Sequence, residues 1–340
     1  MPPLPFKYIW DFLTKETKLI DEEYDDGIHD HGYGCNCRNC NEIRAARATA
    51  NPAGWASDDQ KRFRTYSRIE KSLPSGVYRF VKLNGVPHFF KIDFPSDDAV
   101  SLPGLPSDYI LNQIKDFWAT ADEFKKFGLI HKRGILMYGP PGCGKTSIIR
   151  LLCDQVLKLG GIAFCIDSFE SAGEFARVFR SAEPDRPILM IEEDVENVFS
   201  GNSAAEEIKA ALSFLDGQDQ VNNIVHIATT NNPEQMADKF IKRPGRYDLV
   251  IGVFSPTAET REAYLRHVAK GQLPEEKIKE IVEKTEGLGL AYLRELLATN
   301  LCLGIPLDET LKRIRDNFKS KKLSNKQMEQ SMGFEIGFKG

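Results

Sequence analysis

Long apolar runs are missing from this sequence. No stretch of about 18 consecutive apolar residues occurs, so a membrane-spanning helix is not expected. An excess of one charge is missing as well. Charged residues make up 28 % of the 340, yet the formal net charge is only −4. The chain as a whole therefore gives no nucleic-acid or membrane-surface signal, and only a local basic patch could supply one. The opening residues, MPPLPFKYIWDF, lack the basic-then-apolar layout of a secretory signal. Cysteine is sparse. Cys143, Cys153, Cys165 and Cys302 are scattered through expected core or loop positions and read as reduced thiols, which points to the cytoplasm. At this length the chain can bury a full core and hold one large domain or two modest ones.

What is present is organised around residues 135–159, ILMYGPPGCGKTSIIRLLCDQVLKL. Ile135 to Tyr138 reads as a buried strand of a parallel sheet. Gly139, Pro140, Pro141, Gly142, Cys143 and Gly144 cannot continue it. The glycines let the backbone curl so that its N–H groups cradle phosphates. Lys145 brings a positive charge to the β- and γ-phosphates of a nucleoside triphosphate, and Thr146 offers a hydroxyl to Mg²⁺. From Ser147 to Leu159 the apolar spacing is helical, so the phosphates would sit at a helix N-terminus. Cys143 lies near that terminus, which favours a thiolate and predicts a reactive thiol.

The rest of the chain divides around this stretch. Residues 1–75 form an N-terminal region. It contains a short amphipathic stretch (Phe6, Ile9, Trp10, Phe12, Leu13), an acidic and Gly-rich linker over 18–34, and a polar, partly helical segment over 41–72. Between them Cys35, Cys37 and Cys40 stand near His29 and His31. Three thiols and an imidazole suit tetrahedral Zn²⁺. However, Cys35 and Cys37 are one residue apart and no second pair follows, so no stoichiometric zinc is expected. Residues 76–95 read as a β-hairpin turning at Asn84-Gly85 that packs on, or extends, the domain after it. A helix is predicted over Tyr109–Phe127. Over 96–255 strands alternate with helices, which predicts an α/β domain with a parallel sheet and a ligand beyond the strand C-termini. Residues 256–318 are helical only and predict a small α-helical lid. Residues 319–340 are a polar tail.

An acid at a strand end must hold the metal, and a neighbour must polarise the attacking water. Here the candidates are Glu192, Glu193 and Asp194. At this point the chain resembles the AAA family of ring ATPases. Their second motif is an apolar strand, two acids, an apolar residue and a further acid. Setting Glu193-Asp194-Val195-Glu196-Asn197-Val198 on it fits every position. The resemblance therefore implies Glu193 (with Thr146) for the metal and Asp194 for the water. Starting at Glu192 is the alternative register. The Glu-Asp order is similar to the branch that includes the mitochondrial Rieske-protein translocase and related bacterial proteins. Thr229-Thr230-Asn231 resembles the family's polar sensor, with Asn231 near the γ-phosphate. Arg243-Pro244-Gly245-Arg246 resembles its arginine motif, so Arg243 and Arg246 would face the γ-phosphate of the next subunit. Gly287 to Arg294 is similar to the start of the lid helix.

The resemblance, over residues 97–318, implies a P-loop NTPase fold and ATP hydrolysis with Mg²⁺. It also implies a homo-oligomeric ring, usually a hexamer, that remodels or threads a macromolecular client, with protein as the favoured client. Two alternatives remain open. One is a loader or helicase-like ATPase on nucleic acid, suggested by Lys312, Arg313, Arg315, Lys319, Lys321 and Lys322. The other is a nucleotide-gated scaffold with negligible turnover. The aromatic-apolar-Gly pore triplet of many AAA unfoldases is missing. Phe169 is the candidate in its place, against packing with Phe175 and Phe179. No His-Glu-x-x-His occurs, so a fused metalloprotease is not expected.

Overall fold

The computed structural model describes residues 54–56, 62–66, 72–83, 86–94, 99–197, 204–216, 221–236, 240 and 245–318. All of them fall within the unit that starts at Asn51. The Cys35/Cys37/Cys40 cluster with His29 and His31, the Asn84-Gly85 turn, Arg243 and the tail from Lys319 lie outside the described residues.

Among the described residues nine strands form one sheet: β1 (Gly54–Ala56), β2 (Arg62–Tyr66), β3 (Val77–Leu83), β4 (Val86–Ile92), β5 (Lys132–Tyr138), β6 (Ile162–Cys165), β7 (Ile188–Glu192), β8 (Ile224–Thr230) and β9 (Leu249–Gly252). Their order is β1-β2-β4-β3-β6-β7-β8-β5-β9. From β3 to β9 every neighbouring pair is parallel. The hairpin β3–β4 extends the sheet, pairing Val77 with Ile92 through Leu83 with Val86. Two strands replace part of the helical expectation for 41–72. Arg62-Phe63-Arg64-Thr65-Tyr66 carries the aromatic and β-branched residues that favour strands, and β2 pairs Phe63 with Phe89 on the free edge of the hairpin.

Among the described residues ten α-helices lie between and after the strands: α1 (Ser107–Ala119), α2 (Ala121–Lys126), α3 (Lys145–Lys158), α4 (Phe169–Ala182), α5 (Ala204–Asp216), α6 (Pro233–Met236), α7 (Ala258–Ala269), α8 (Glu275–Lys284), α9 (Leu290–Leu297) and α10 (Leu307–Phe318). The single helix expected over Tyr109–Phe127 breaks at Thr120, whose backbone N–H and hydroxyl both donate to Phe117 O, at 3.1 and 2.8 Å. Helix α4 starts at Phe169 because Ser168 caps it, accepting from Ser171 N at 3.2 Å.

Strand alternation sorts the core into two layers. Ile135, Met137, Leu189, Ile191, Val225 and Ile227 face Ile110 and Ile114 of α1 and Ile148, Ile149 and Leu152 of α3. Leu136, Tyr138, Ile188, Met190, Ile224 and Ala228 face α4 and α5, through Phe175, Phe179 and Phe214. Helices α7–α10 enclose a third core of their own, built on Leu265, Ile281, Leu293, Leu296 and Leu311.

Candidate active site

The loop after β5 is shaped by glycines at positive φ: Gly139 at 148°, Gly142 at 78° and Gly144 at 111°. Two of them also lack room for a side chain. A Cβ on Gly139 would come within 2.1 Å of Val253 O, and one on Gly142 within 2.9 Å of Ala291 Cβ. The loop is therefore seated between β9 and the first turn of α9, where Ala291 N donates to Gly142 O at 3.1 Å. Pro140, Pro141 and Cys143 complete it, and α3 starts at Lys145. Ser147 lies in the first turn of α3.

Lys145 is buried and turned back on its own loop. Its Nζ donates to Gly139 O at 2.7 Å, to Pro140 O at 3.1 Å and to Asn231 Oδ1 at 2.8 Å. Burial pulls its ammonium below the usual lysine range, opposed by Cys143 and by the charges of Asp194, Glu196 and Glu193. One residue on, Thr146 Oγ1 donates to Glu193 Oε1 at 2.6 Å. Burial raises the Glu193 carboxyl, and the Thr146 hydrogen bond holds it down in part.

Asp194 leaves the strand in a left-handed conformation, at φ 49°. Such a conformation costs a non-glycine residue roughly 1–3 kcal/mol and persists only where neighbours over-determine it. Here three bonds do so. Asp194 N donates to Thr229 Oγ1 at 3.0 Å, Asn197 N to Asp194 O at 2.8 Å, and Asn231 Nδ2 to Asp194 Oδ1 at 2.8 Å. Burial raises the Asp194 carboxyl, and nearby Glu196 adds to the rise. Asn231 is the joint of the site: its amide oxygen accepts from Lys145, its amide nitrogen serves Asp194, and its backbone N–H donates to Glu196 Oε1 at 3.0 Å.

Lys145, Thr146, Glu193, Asp194 and Asn231 thus converge at the C-terminal ends of β5, β7 and β8. Glu192 does not join them. It points to the opposite face of the sheet, where Tyr247 OH donates to its Oε2 at 2.8 Å. The sequence did not single out Thr229, although it falls within the quoted sensor stretch.

Two expectations, for Arg246 and Cys143, are corrected here, and the open choice at Phe169 falls to packing. Arg246 does not face outward in the single chain. It is 3 % exposed, and its Nε donates to Asp216 Oδ2 at 2.7 Å, because its loop is folded onto the end of α5. Phe169 is not a surface pore residue. Ser168 places it in the first turn of α4, where it is buried with its ring 6.5 Å from that of Phe214. Cys143 does not sit in the exposed, electropositive setting that activates a thiolate. Its side chain is buried in the core behind the loop, and desolvation pushes its thiol up despite Lys145. Arg294 lies on the exposed side of α9.

A family model described as "ATPase family associated with various cellular activities (AAA)" matches residues 135–254, the stretch that carries the loop, both acids and the sensor. Residues 135–254 of this chain are thus similar to an AAA ATPase domain. Among its relatives is an ATP-dependent zinc metalloprotease FtsH of Marinobacter nauticus. It is 28 % identical over 219 residues, covering 59 % of this chain and 34 % of the relative. FtsH 1 of Methylacidiphilum infernorum is 28 % identical over 259 residues, 67 % of this chain and 40 % of its own. FtsH 2 of Symbiobacterium thermophilum is 29 % identical over 205 residues, 55 % and 35 %. The chain thus matches little more than a third of the length of these curated relatives. The metalloprotease in their names is said of them; this chain contains no His-Glu-x-x-His. Among the described residues no helix is long and apolar enough to cross a membrane.

The site fits a Mg²⁺–nucleotide. Its glycine cradle admits no Cβ at Gly139, and Lys145 is a buried ammonium bonded only to carbonyl and amide oxygens. Among the described residues no cluster of three or more His, Cys, Asp or Glu side chains is placed to hold a metal alone. Mg²⁺ keeps waters and phosphate oxygens and takes only one or two protein oxygens. Thr146 Oγ1 and Glu193 Oε1, 2.6 Å apart, are the oxygens that could serve it.

Proposed function

We propose that this chain hydrolyses ATP in a homo-oligomeric ring and couples turnover to the remodelling or threading of a macromolecular client, a protein. The observation that carries the proposal is the junction through Asn231. One amide ties the phosphate-loop lysine to the acid placed to polarise water, so phosphate occupancy and water activation share a single joint. In this reading Lys145 lets go of the loop carbonyls and meets the β- and γ-phosphates. Glu193 and Thr146 hold Mg²⁺, which when bound would neutralise phosphate charge. Asp194, oriented by Asn231, takes a proton from the attacking water. Its raised carboxyl range suits a base better than that of an ordinary aspartate. The guanidinium that stabilises the leaving phosphoryl comes from a neighbouring subunit. We assign that role to Arg243, since Arg246 is engaged with Asp216.

A protein client is favoured over nucleic acid by what happens to the basic residues of α10. Arg313 Nη2 pairs with Glu295 Oε1 at 2.8 Å, and Arg315 Nη2 donates to Lys284 O at 2.8 Å. Part of the basic patch is therefore paired with other groups of the helical subdomain, on its surface. The relatives' printed function, an ATP-dependent protease, also involves a protein substrate.

Phosphate release per chain, measured against chain concentration with Mg²⁺ and ATP, tests the ring. Specific activity should rise as subunits assemble. A constant value down to concentrations where only monomers exist would contradict it.

A further inference from the structure

Glu192 is a carboxylate where the strand calls for an apolar side chain. Ile188, Met190 and Glu192 share the face of β7 that packs toward α4 and α5, while Glu193 returns to the phosphate-loop side. Glu192 is 2 % exposed. Its Oε2 accepts from Tyr247, but its Oε1 has no hydrogen-bond partner and lies 3.7 Å from Nδ1 of buried His226. His226 in turn packs edge-on against Phe214, with ring centroids 4.8 Å apart. A buried carboxylate with one oxygen unsatisfied costs stability, and a well-packed apolar residue would serve the fold better. Stability therefore does not account for Glu192, and its one strong bond shows where its effect goes.

Tyr247 is buried and follows Arg246 directly. Other anchors hold this segment to the start of β5. Asp248 N donates to Gly134 O and Gly134 N to Asp248 Oδ2, both at 2.9 Å, and Lys132 Nζ donates to Gly245 O at 2.9 Å. A Cβ on Gly134 would lie 1.9 Å from Arg246 O, so the segment is pressed on the strand. None of these anchors touches β7. The Tyr247–Glu192 bond alone among them ties the segment to the strand end that carries Glu193 and Asp194.

We propose that Glu192 is a positioning residue for the arginine motif. Through Tyr247 it fixes Gly245 and Arg246, the end of that motif, relative to the acid pair of the same chain, and so bears on the guanidinium offered to the next subunit. The proposal rests on the trans-arginine reading above. A misplacement of about 1 Å can cost about 10²-fold in rate.

Mixed rings separate positioning from simple damage. Tyr247→Phe removes the hydroxyl and keeps the ring. Alone it should lower kcat by about 10²-fold with the KM for ATP little changed. Mixed with Asp194→Asn, which keeps a correctly placed arginine, it should regain activity. Mixed with Arg243→Ala, which has none to offer, it should not. A control mixture of Asp194→Asn with Arg243→Ala must itself regain activity. If the control fails, the trans-arginine reading falls, and this proposal with it. If the control succeeds while Tyr247→Phe is restored by both partners or by neither, positioning alone is overturned. Should Tyr247→Phe fold poorly, Glu192→Leu and Glu192→Gln replace it. Gln keeps an oxygen to accept from Tyr247 and should recover most of the rate that Leu loses. Equal loss in both would overturn the proposal.

Discussion

Replacing Lys145 by alanine should abolish measurable ATP binding. The ammonium is already desolvated, held by three oxygens of Gly139, Pro140 and Asn231. Much of the cost of burying it is therefore met before nucleotide arrives. Around it stand Glu193, Asp194 and Glu196. Without the lysine, the β- and γ-phosphates would approach these acids with their chief positive partner gone. Truncating one member of a desolvated charge pair costs about 2–5 kcal/mol, or roughly 30- to several thousand-fold in affinity. Titration calorimetry with ATP and Mg²⁺ reads this directly, with a thermal melt to check that the loop carbonyls tolerate the loss. Wild-type affinity in a folded Lys145→Ala chain would remove the phosphate-loop assignment.

Two inactive chains should make an active mixture. Arg243→Ala keeps an intact acid pair, and Asp194→Asn keeps an intact arginine motif. In rings containing both, some interfaces join the good acid of one chain to the good arginine of the next. As the γ-phosphoryl leaves, charge builds on its oxygens, and a guanidinium in a dry interface stabilises it without reorganisation. Fingers of this kind contribute about 10³–10⁵ in rate. Each variant alone should thus be nearly silent, and the mixture should rise well above the sum of its parts. Arg246→Ala should behave differently. It leaves Asp216 without its partner on a part-buried contact, so it should lower the melting temperature as well as the rate. A mixture that never exceeds its components, despite verified co-assembly, would contradict the trans arrangement.

How much of this was legible in the sequence follows from which forces are local. The phosphate loop could be read because glycine backbone freedom, one lysine and one threonine act within eight residues. The parallel sheet could be read because its buried strands are continuous apolar runs. The opposite directions of Glu192 and Glu193 follow from the two-residue period of a strand. Other features depend on partners far along the chain. Arg246 is buried because Asp216, thirty residues earlier, ends α5 beneath it. Phe169 is buried because Ser168 caps the helix that it starts. Cys143 looked activated by its helix terminus, but the core behind the loop desolvates it, and desolvation wins over one dipole and one lysine. The strand Arg62–Tyr66 escaped notice because it is short, carries two arginines and shows no clean two-residue period, and it needs the β4 edge to be stable.

The most direct measurement is ATP binding and phosphate release by Asp194→Asn beside the unaltered chain. The amide keeps the shape of the acid and an oxygen for Asn231 Nδ2, yet it cannot take a proton from water. The expected result is ATP affinity close to that of the unaltered chain, with hydrolysis lost. Normal turnover in Asp194→Asn, with hydrolysis lost in Glu193→Gln alone, would contradict it and make Glu193 the water-activating acid.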